Sequence, residues 1–273
     1  MEKEKAKTLS IKAAVYACAG ITFILILFML GYILINGIPF LTAELFSPKY
    51  TSENCSVIPA LVNTFVMTIL ALAISVPLGI GSAIYLVEYS GKGNQFVKIV
   101  RLTTETLTGI PSIIYGLFGM LLFVVFLGWG YSIMAGAATV AIMILPTIMR
   151  TTEEALMAVP DSFREGSFGL GAGKLRTVFK IILPSSVPGI LSGVILATGR
   201  VVGETAALIY TAGTVAQIPA NVFGSGRTLA IHMYVLSSEG LHVNQAFATA
   251  VVLIVMVIGI NAAASFVAKK IKK

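Results

Sequence analysis

Residues 165–184 read Glu-Gly-Ser-Phe-Gly-Leu-Gly-Ala-Gly-Lys-Leu-Arg-Thr-Val-Phe-Lys-Ile-Ile-Leu-Pro. The stretch is basic and glycine-rich, as a solvated turn would be. Yet long apolar runs stand before and after it. A chain that sets such a segment between membrane-length runs exposes it to one aqueous face, where it can touch another protein.

The rest of the chain supports a membrane setting. Of its 273 residues, 57% are hydrophobic and 11% charged, against about a quarter charged in soluble domains. Positions 13–43, 54–87, 106–149, 181–199 and 240–268 hold no Asp, Glu, Lys or Arg. A helix needs roughly 20 apolar residues to cross the hydrocarbon. The 106–149 run suffices for two crossings, broken by Gly128-Trp129-Gly130, where the glycines suit a turn and the Trp an interface. The expected fold class is an all-α polytopic membrane protein with six spans, near 13–36, 59–87, 100–127, 131–152, 185–212 and 242–267.

Basic residues set the orientation. Lys3, Lys5, Lys7 and Lys12 precede the first span, and Lys269, Lys270, Lys272 and Lys273 follow the last. Lys92, Lys98 and Arg101 lie in the 88–101 loop, and Arg150, Arg164, Lys174, Arg176 and Lys180 in the 150–180 loop. Sixteen of nineteen basic residues therefore fall on one side, expected to be the cytoplasm, with both termini there. The net charge of +7 reflects this topology, and no basic face suited to nucleic acid is visible. The N-terminal apolar run is too long for a signal peptide and lacks an A-x-A site. Cys18 is expected to be a buried thiol, and Cys55 to lie near the outer surface, too far from Cys18 for a disulfide.

No internal repeat, low-complexity segment or soluble domain is visible. The expected organisation is one membrane domain over 1–273, with an N-terminal arm (1–12), a core near 59–268 and a cytoplasmic loop at 161–183. Residues 37–58 read as an outer loop. In the outer segment 213–241, Thr228–Leu236 suits a short helix on or dipping into the surface. Pro77, Pro111, Pro146, Pro184 and Pro188 punctuate spans, and Gly79, Gly81, Gly116 and Gly119 permit close helix approach.

Few residues could carry chemistry. Arg200 and Glu204 stand four apart, so one continuous helix would place them on one face. Counted from Pro184, Arg200 lies about 24 Å up such a helix, where a charge is costly and faces protein or water. Two readings stay open: a self-neutralising pair that clamps helices, or an Arg200 that faces a translocation path and attracts an anion while Glu204 tempers its charge. An Arg fork suits phosphate-like oxyanions. Arg101 and Glu105 form a second i,i+4 pair, expected to anchor the third span. A phosphate-cradling P-loop would need Ser or Thr after Gly173-Lys174 and Gly five residues before Gly173; Leu175 and Phe168 stand there, so that reading fails. His232 and His242 have no metal-ligand pattern around them, and no Ser/His/Asp set or carboxylate dyad suggests catalysis.

The spacing Glu165, Gly171, Ile181, Leu183 and Pro184 resembles the EAA loop of ABC-importer permeases, with Gly166 and Ser167 in place of two alanines. Thr108–Gly119, Val76–Tyr85, Pro188–Gly193 and Gly199–Ala206 are similar to segments of phosphate-importer permeases, over roughly 60–270. The short N-terminal arm and Gly203–Leu208 look most like the PstA type. The resemblance implies a type I importer permease (MetI-like) fold, a coupling loop at 161–183 made of two short helices around the Gly169–Gly173 turn, and no enzymatic activity. It also implies a PstC-type permease partner, two PstB-type ATPase subunits carrying ATP and Mg, a PstS-type phosphate-binding protein, and a bacterial or archaeal plasma membrane. Permeases for molybdate, tungstate or sulfate would share the loop. A stand-alone secondary transporter would not need it.

Overall fold

A computed structural model describes residues 2–91 and 93–271, with side-chain surroundings over 11–91 and 93–266. Lys92, Lys272 and Lys273 of the basic clusters lie outside the described residues. So do the side chains of Lys3, Lys5, Lys7, Lys269 and Lys270. Among the described residues all regular structure is helical. Helix α1 (Glu2–Gly37) is followed by α2 (Ile58–Ile84), whose last turn continues in π form over Tyr85–Tyr89. Next come α3 (Gln95–Thr108) and α4 (Ser112–Gly119), the latter running on in π form to Phe126. Helix α5 (Ile133–Met157) leads into α6 (Asp161–Gly169). Helix α7 (Lys174–Thr177), a π segment (Val178–Ile182) and α8 (Leu183–Val202) form one rod. The chain ends with α9 (Ala206–Ile209), α10 (Leu229–Glu239) and α11 (Val243–Ile271).

Among the described residues, five helical stretches are long and apolar enough to cross a membrane: Ile11–Phe40, Ile58–Tyr89, Ile133–Met157, Lys174–Val202 and Val243–Phe266. The sixth crossing is broken. The straight span expected at 100–127 is instead α3 and α4 meeting at 103°. Pro111 lacks a backbone donor and pushes Ile110 out of helical geometry, and Gly109 adds freedom beside it. The Tyr115 hydroxyl donates to the Leu107 carbonyl at 2.8 Å across the break, satisfying a helix-end acceptor.

The core gathers on α5. Its residues Ile133, Val140, Met143, Ile144 and Ile148 are buried against Met67 and Ala71 of α2 and Ala197 and Val201 of α8. Small residues let the backbones close: a Cβ on Gly79 would lie 2.8 Å from Ile148, and one on Gly189 2.6 Å from Ala155. Gly193 meets Thr151 of α5 the same way. Such approach substitutes van der Waals contact for a hydrophobic driving force that lipid does not supply. At one edge α1 leans on α11, Gly37 lying against the Phe247 carbonyl and Tyr32 edge-on to the Phe247 ring at 5.7 Å.

One cysteine expectation is overturned. Cys18 is exposed on α1, because that part of α1 has no neighbouring helix around it, while Cys55 is fully buried. The loop carrying Cys55 folds in beneath α10, with the Cys55 carbonyl bonded to the His232 ring. The short helix expected at 228–236 is α10, and it dips inward: Leu229, Ala230, Ile231, His232 and Leu236 are all buried.

Candidate coupling loop and translocation site

The 158–183 segment forms a docking-sized projection at the basic end of the bundle. Pro160 presets the start of α6, and its missing N–H costs nothing there. The helix ends in a turn where Gly171 takes φ +79°, a conformation open to glycine at little cost. Gly171 N–H bonds the Phe168 carbonyl at 2.9 Å and Ala172 N–H the Ser167 carbonyl at 3.1 Å. Ser167 and Thr177 share a buried hydroxyl–hydroxyl bond of 2.8 Å that folds α6 onto α7. This is why a small residue is required at 167: anything larger would push the two strokes of the hairpin apart.

The structure separates the five motif residues. Glu165 and Gly171 are exposed, and Pro184 is exposed in the first turn of α8. Ile181 and Leu183 instead pack against the cluster of Leu156, Val159, Val178 and Ile182. The second limb is also not the separate short helix expected, since α7 continues through the π segment into α8 as one 29-residue rod from Lys174 to Val202. Nothing between Lys174 and Leu183 breaks a helix, and the π segment over Val178–Ile182 widens the rod just before Pro184, whose ring and missing N–H would disturb an ordinary α-helical turn. The hairpin tip carries exposed apolar side chains: Phe163, Phe168, Leu175, Phe179 and Leu170, the last 91% exposed. In sequence these are only apolar residues among basic ones, and the fold leaves each of them exposed.

Two ion pairs position this end, and neither was legible in the spacing. Arg164 lies under α6 and donates to Glu88 at 2.7 Å, to Asp161 at 3.1 Å, and to the carbonyls of Val159 and Leu156 at 2.9 and 3.0 Å. It thus joins the end of the second span to the end of α5 and to α6. Arg101 pairs with Glu153 of α5, not with Glu105 as the i,i+4 spacing suggested. Both surround a cavity of about 250 Å³ lined also by Thr104, Glu105, Arg150, Glu154 and Met157. Glu153, largely buried, gains most from a cation, so it captures Arg101 across the helices.

Deeper in the bundle, the expected pairing of Arg200 with Glu204 does not form. Helix α8 stops at Val202: Gly203 N–H makes a last helical bond to Gly199 at 3.2 Å, and the turn then tightens, Glu204 N–H bonding Val201 at 3.2 Å. Glu204 is buried and its Oε1 accepts from Ala207 N–H at 3.0 Å, capping α9. The same carboxylate cannot hold the cap and stay one turn above Arg200 on a continuing helix. Among the described residues, ion pairs form at Arg101, Arg150 and Arg164 and none at Arg200.

Arg200 sits at mid-depth. The register that sets Gly189 against Ala155 and Gly193 against Thr151 carries Arg200 to the level of Ile144, the middle of α5. There Tyr115, in the first turn of α4, lies near enough for the Arg200 charge to act on it. Above it, a Cβ on Gly116 would fall 2.7 Å from the Ala207 Cα, so α4 and α9 touch backbone to backbone. Two interrupted helices therefore meet close to Arg200, which is itself partly buried. No group of three or more metal-ligating side chains occurs among the described residues.

A family model described as binding-protein-dependent transport system inner membrane component matches residues 75–273. The chain belongs to this family of transport permeases. The permease is 34% identical over 239 residues to the probable ABC transporter permease protein YqgI of Bacillus subtilis, covering 82% of this chain and 81% of that one. It is 37% identical over 211 residues to the phosphate transport system permease protein PstA 1 of Mycobacterium tuberculosis, covering 76% and 69%. Among solved structures, a bacterial alginate ABC transporter superposes with a TM-score of 0.69 at 18% identity over 98% of both chains. The inward-facing MetNI methionine transporter gives 0.62 at 21% identity over 80% of this chain and 94% of that one. These likenesses fix the fold of the permease as that of type I ABC importers and make it a multi-pass membrane component.

Proposed function

We propose that this permease is the PstA-type half of the membrane path of an ATP-driven importer for inorganic phosphate. The observation that carries the reading is the unpaired Arg200 at mid-depth beside the first turn of α4. Ser112 and Ile113, as the first residues of that helix, have N–H groups without an intrahelical acceptor. A planar guanidinium with five donors and a helix N-terminus both favour a tetrahedral oxyanion. The relatives named as phosphate transport permeases point to the same anion. Glu204 acts by shaping α9 around the path, with its charge tempering that of Arg200.

In this reading residues 1–273 are one membrane unit with the 1–12 arm, a core over about 59–268 and the coupling loop 161–183, and both termini are cytoplasmic. Glu165, Gly171 and the exposed apolar tip meet an ATPase subunit, while Ile181, Leu183 and Pro184 fix the hairpin to the bundle. A PstC-type permease completes the path, two PstB-type subunits bind ATP and Mg and hydrolyse the nucleotide, and a PstS-type protein delivers phosphate from outside. This chain itself binds no cofactor and catalyses no reaction. Closure of the ATPase dimer moves α6, and through it α5 and the α7–α8 rod.

The test is uptake by the complete transporter in liposomes. Arg200→Gln should assemble with its ATPase and lose nearly all phosphate uptake. Arg200→Lys should recover part, since it keeps the charge without the fork. Glu204→Gln should retain more, because its amide oxygen can still cap α9. Normal phosphate uptake by Arg200→Gln would overturn the pathway role, and uptake of molybdate, tungstate or sulfate instead of phosphate would overturn the substrate.

A further inference from the structure

Four buried side-chain atoms of Arg227, Thr228 and His232 lack a hydrogen-bond partner. These residues are 4%, 2% and 1% exposed. They stand at the outer N-terminus of α10, and their backbone is firmly held. Arg227 N–H bonds the Val215 carbonyl at 2.9 Å, and the Arg227 carbonyl accepts from Asn63 at 3.1 Å. Leu229 N–H donates to Thr64 Oγ1 at 2.8 Å. The orphaned atoms of Arg227 are Nε and Nη2, the edge of the guanidinium whose two parallel N–H groups hold an oxyanion side-on. The Tyr50 ring lies over this cation, 4.7 Å from the guanidinium carbon.

His232 adds the opposite polarity. Its Nε2 faces the Cys55 carbonyl at 3.2 Å, so Nε2 carries the hydrogen and Nδ1 is a bare acceptor. Burial, then the Arg227 charge, drives its pKa down to about 3, which keeps the ring neutral. Two fork donors, a hydroxyl and a neutral acceptor match a tetrahedral anion that still bears a proton. Phosphate and arsenate do so near neutral pH. Sulfate does not, and would set a lone pair against Nδ1.

We propose that Arg227, Thr228 and His232 form an outer subsite for a protonated tetrahedral oxyanion, closed by a strap at 41–57 through Tyr50. This rests on the importer reading and assigns it an external selectivity station separate from Arg200. An unpaired buried guanidinium is costly, and a ring face replaces only part of its lost hydration. The closed arrangement is thus poised to exchange Tyr50 for an anion. The strap has a strained point of its own: Cys55 is the one non-glycine residue at positive φ (+45°) among the described residues. Tyr50 also meets His232 edge-on at 5.9 Å, so one side chain covers both halves of the subsite.

The experiment uses the complete transporter in a Cys18→Ala background, with inorganic phosphate, arsenate and sulfate as probes. Two readouts are taken, uptake and the rate of Cys55 alkylation from outside. Phosphate and arsenate, but not sulfate, should change the Cys55 rate by about fivefold or more. Arg227→Met should abolish that change and lower uptake by about tenfold or more, the worth of a charge-assisted hydrogen bond, while assembling as well as wild type. His232→Leu removes the ring acceptor, together with the ring N–H that meets the Cys55 carbonyl, so sulfate should begin to compete. Wild-type Cys55 rates indifferent to all three anions, or Arg227→Met uptake within about twofold of wild type, would overturn the subsite. If Arg227→Met fails to assemble, unchanged discrimination against sulfate in His232→Leu overturns it. A wild-type transporter that takes up no phosphate, yet shows the phosphate effect on Cys55, would refute the importer's substrate and leave the subsite standing.

Discussion

Replacing Arg164 by Met should be the most damaging single change at the basic end, because of what it leaves behind. The Glu88 side chain is 7% exposed and Arg164 16%. Losing one partner of a buried pair costs about 3–5 kcal/mol, because the remaining charge stays desolvated. The carbonyls of Leu156 and Val159 also lose charge-assisted donors, each worth about 1.5–3 kcal/mol when buried and less at a wetted helix end. The Asp161 contact adds little, since that carboxylate is 86% exposed. Arg164→Met should therefore cost about 4 kcal/mol or more. Adding Glu88→Gln should restore about 2–3 kcal/mol by removing the stranded charge, without replacing the two carbonyl bonds. Unfolding of the purified permease in mixed micelles, run as a double-mutant cycle, measures both terms. ATP-driven uptake should fall in both variants, because α6 loses its tie to the second span. A cost for Arg164→Met below about 1 kcal/mol, or no recovery with Glu88→Gln, would refute the clamp.

Two further outcomes are expected. No atom would lie within 4 Å of a Cβ at Gly171, so Ala and Leu there should cost the same in stability, about 1–2 kcal/mol for the left-handed backbone. Leu alone would crowd a docking partner, and unchanged ATP-driven uptake by Gly171→Leu would argue against the coupling role. His232 has a folded pKa near 3, below the roughly 6.5 of an unfolded histidine. Its stabilising contribution is complete above that value. As pH falls towards 3 the unfolded chain binds the proton first, and stability declines by about 1.4 kcal/mol per unit. His232→Gln should flatten this decline in thermal unfolding between pH 6.5 and 4.5, and identical profiles would contradict the buried neutral ring.

What the sequence by itself determined follows from rules that act locally. Uncharged runs of membrane length fix how often the chain can cross, because an unpaired backbone group in hydrocarbon forces helix. The clustering of lysine and arginine sets the expected sidedness, and Gly171 marks a turn because its conformation is left-handed. The Gly169–Gly173 turn and a short helix near 228–236 were legible for the same reason, but not that the second limb runs on into α8 or that α10 dips inward. Tertiary structure decided which charges meet. Identical i,i+4 spacings at Arg101–Glu105 and Arg200–Glu204 both failed. A buried carboxylate takes the partner that best offsets its desolvation, which was Arg101 for Glu153 and the Ala207 N–H for Glu204. It also decided that a glycine and a proline break the third span beside Arg200, and that Arg227 lies under Tyr50. Such contacts join residues up to 177 positions apart, as Cys55 and His232 are. No local pattern records them, because their energy comes from removing both groups from water together.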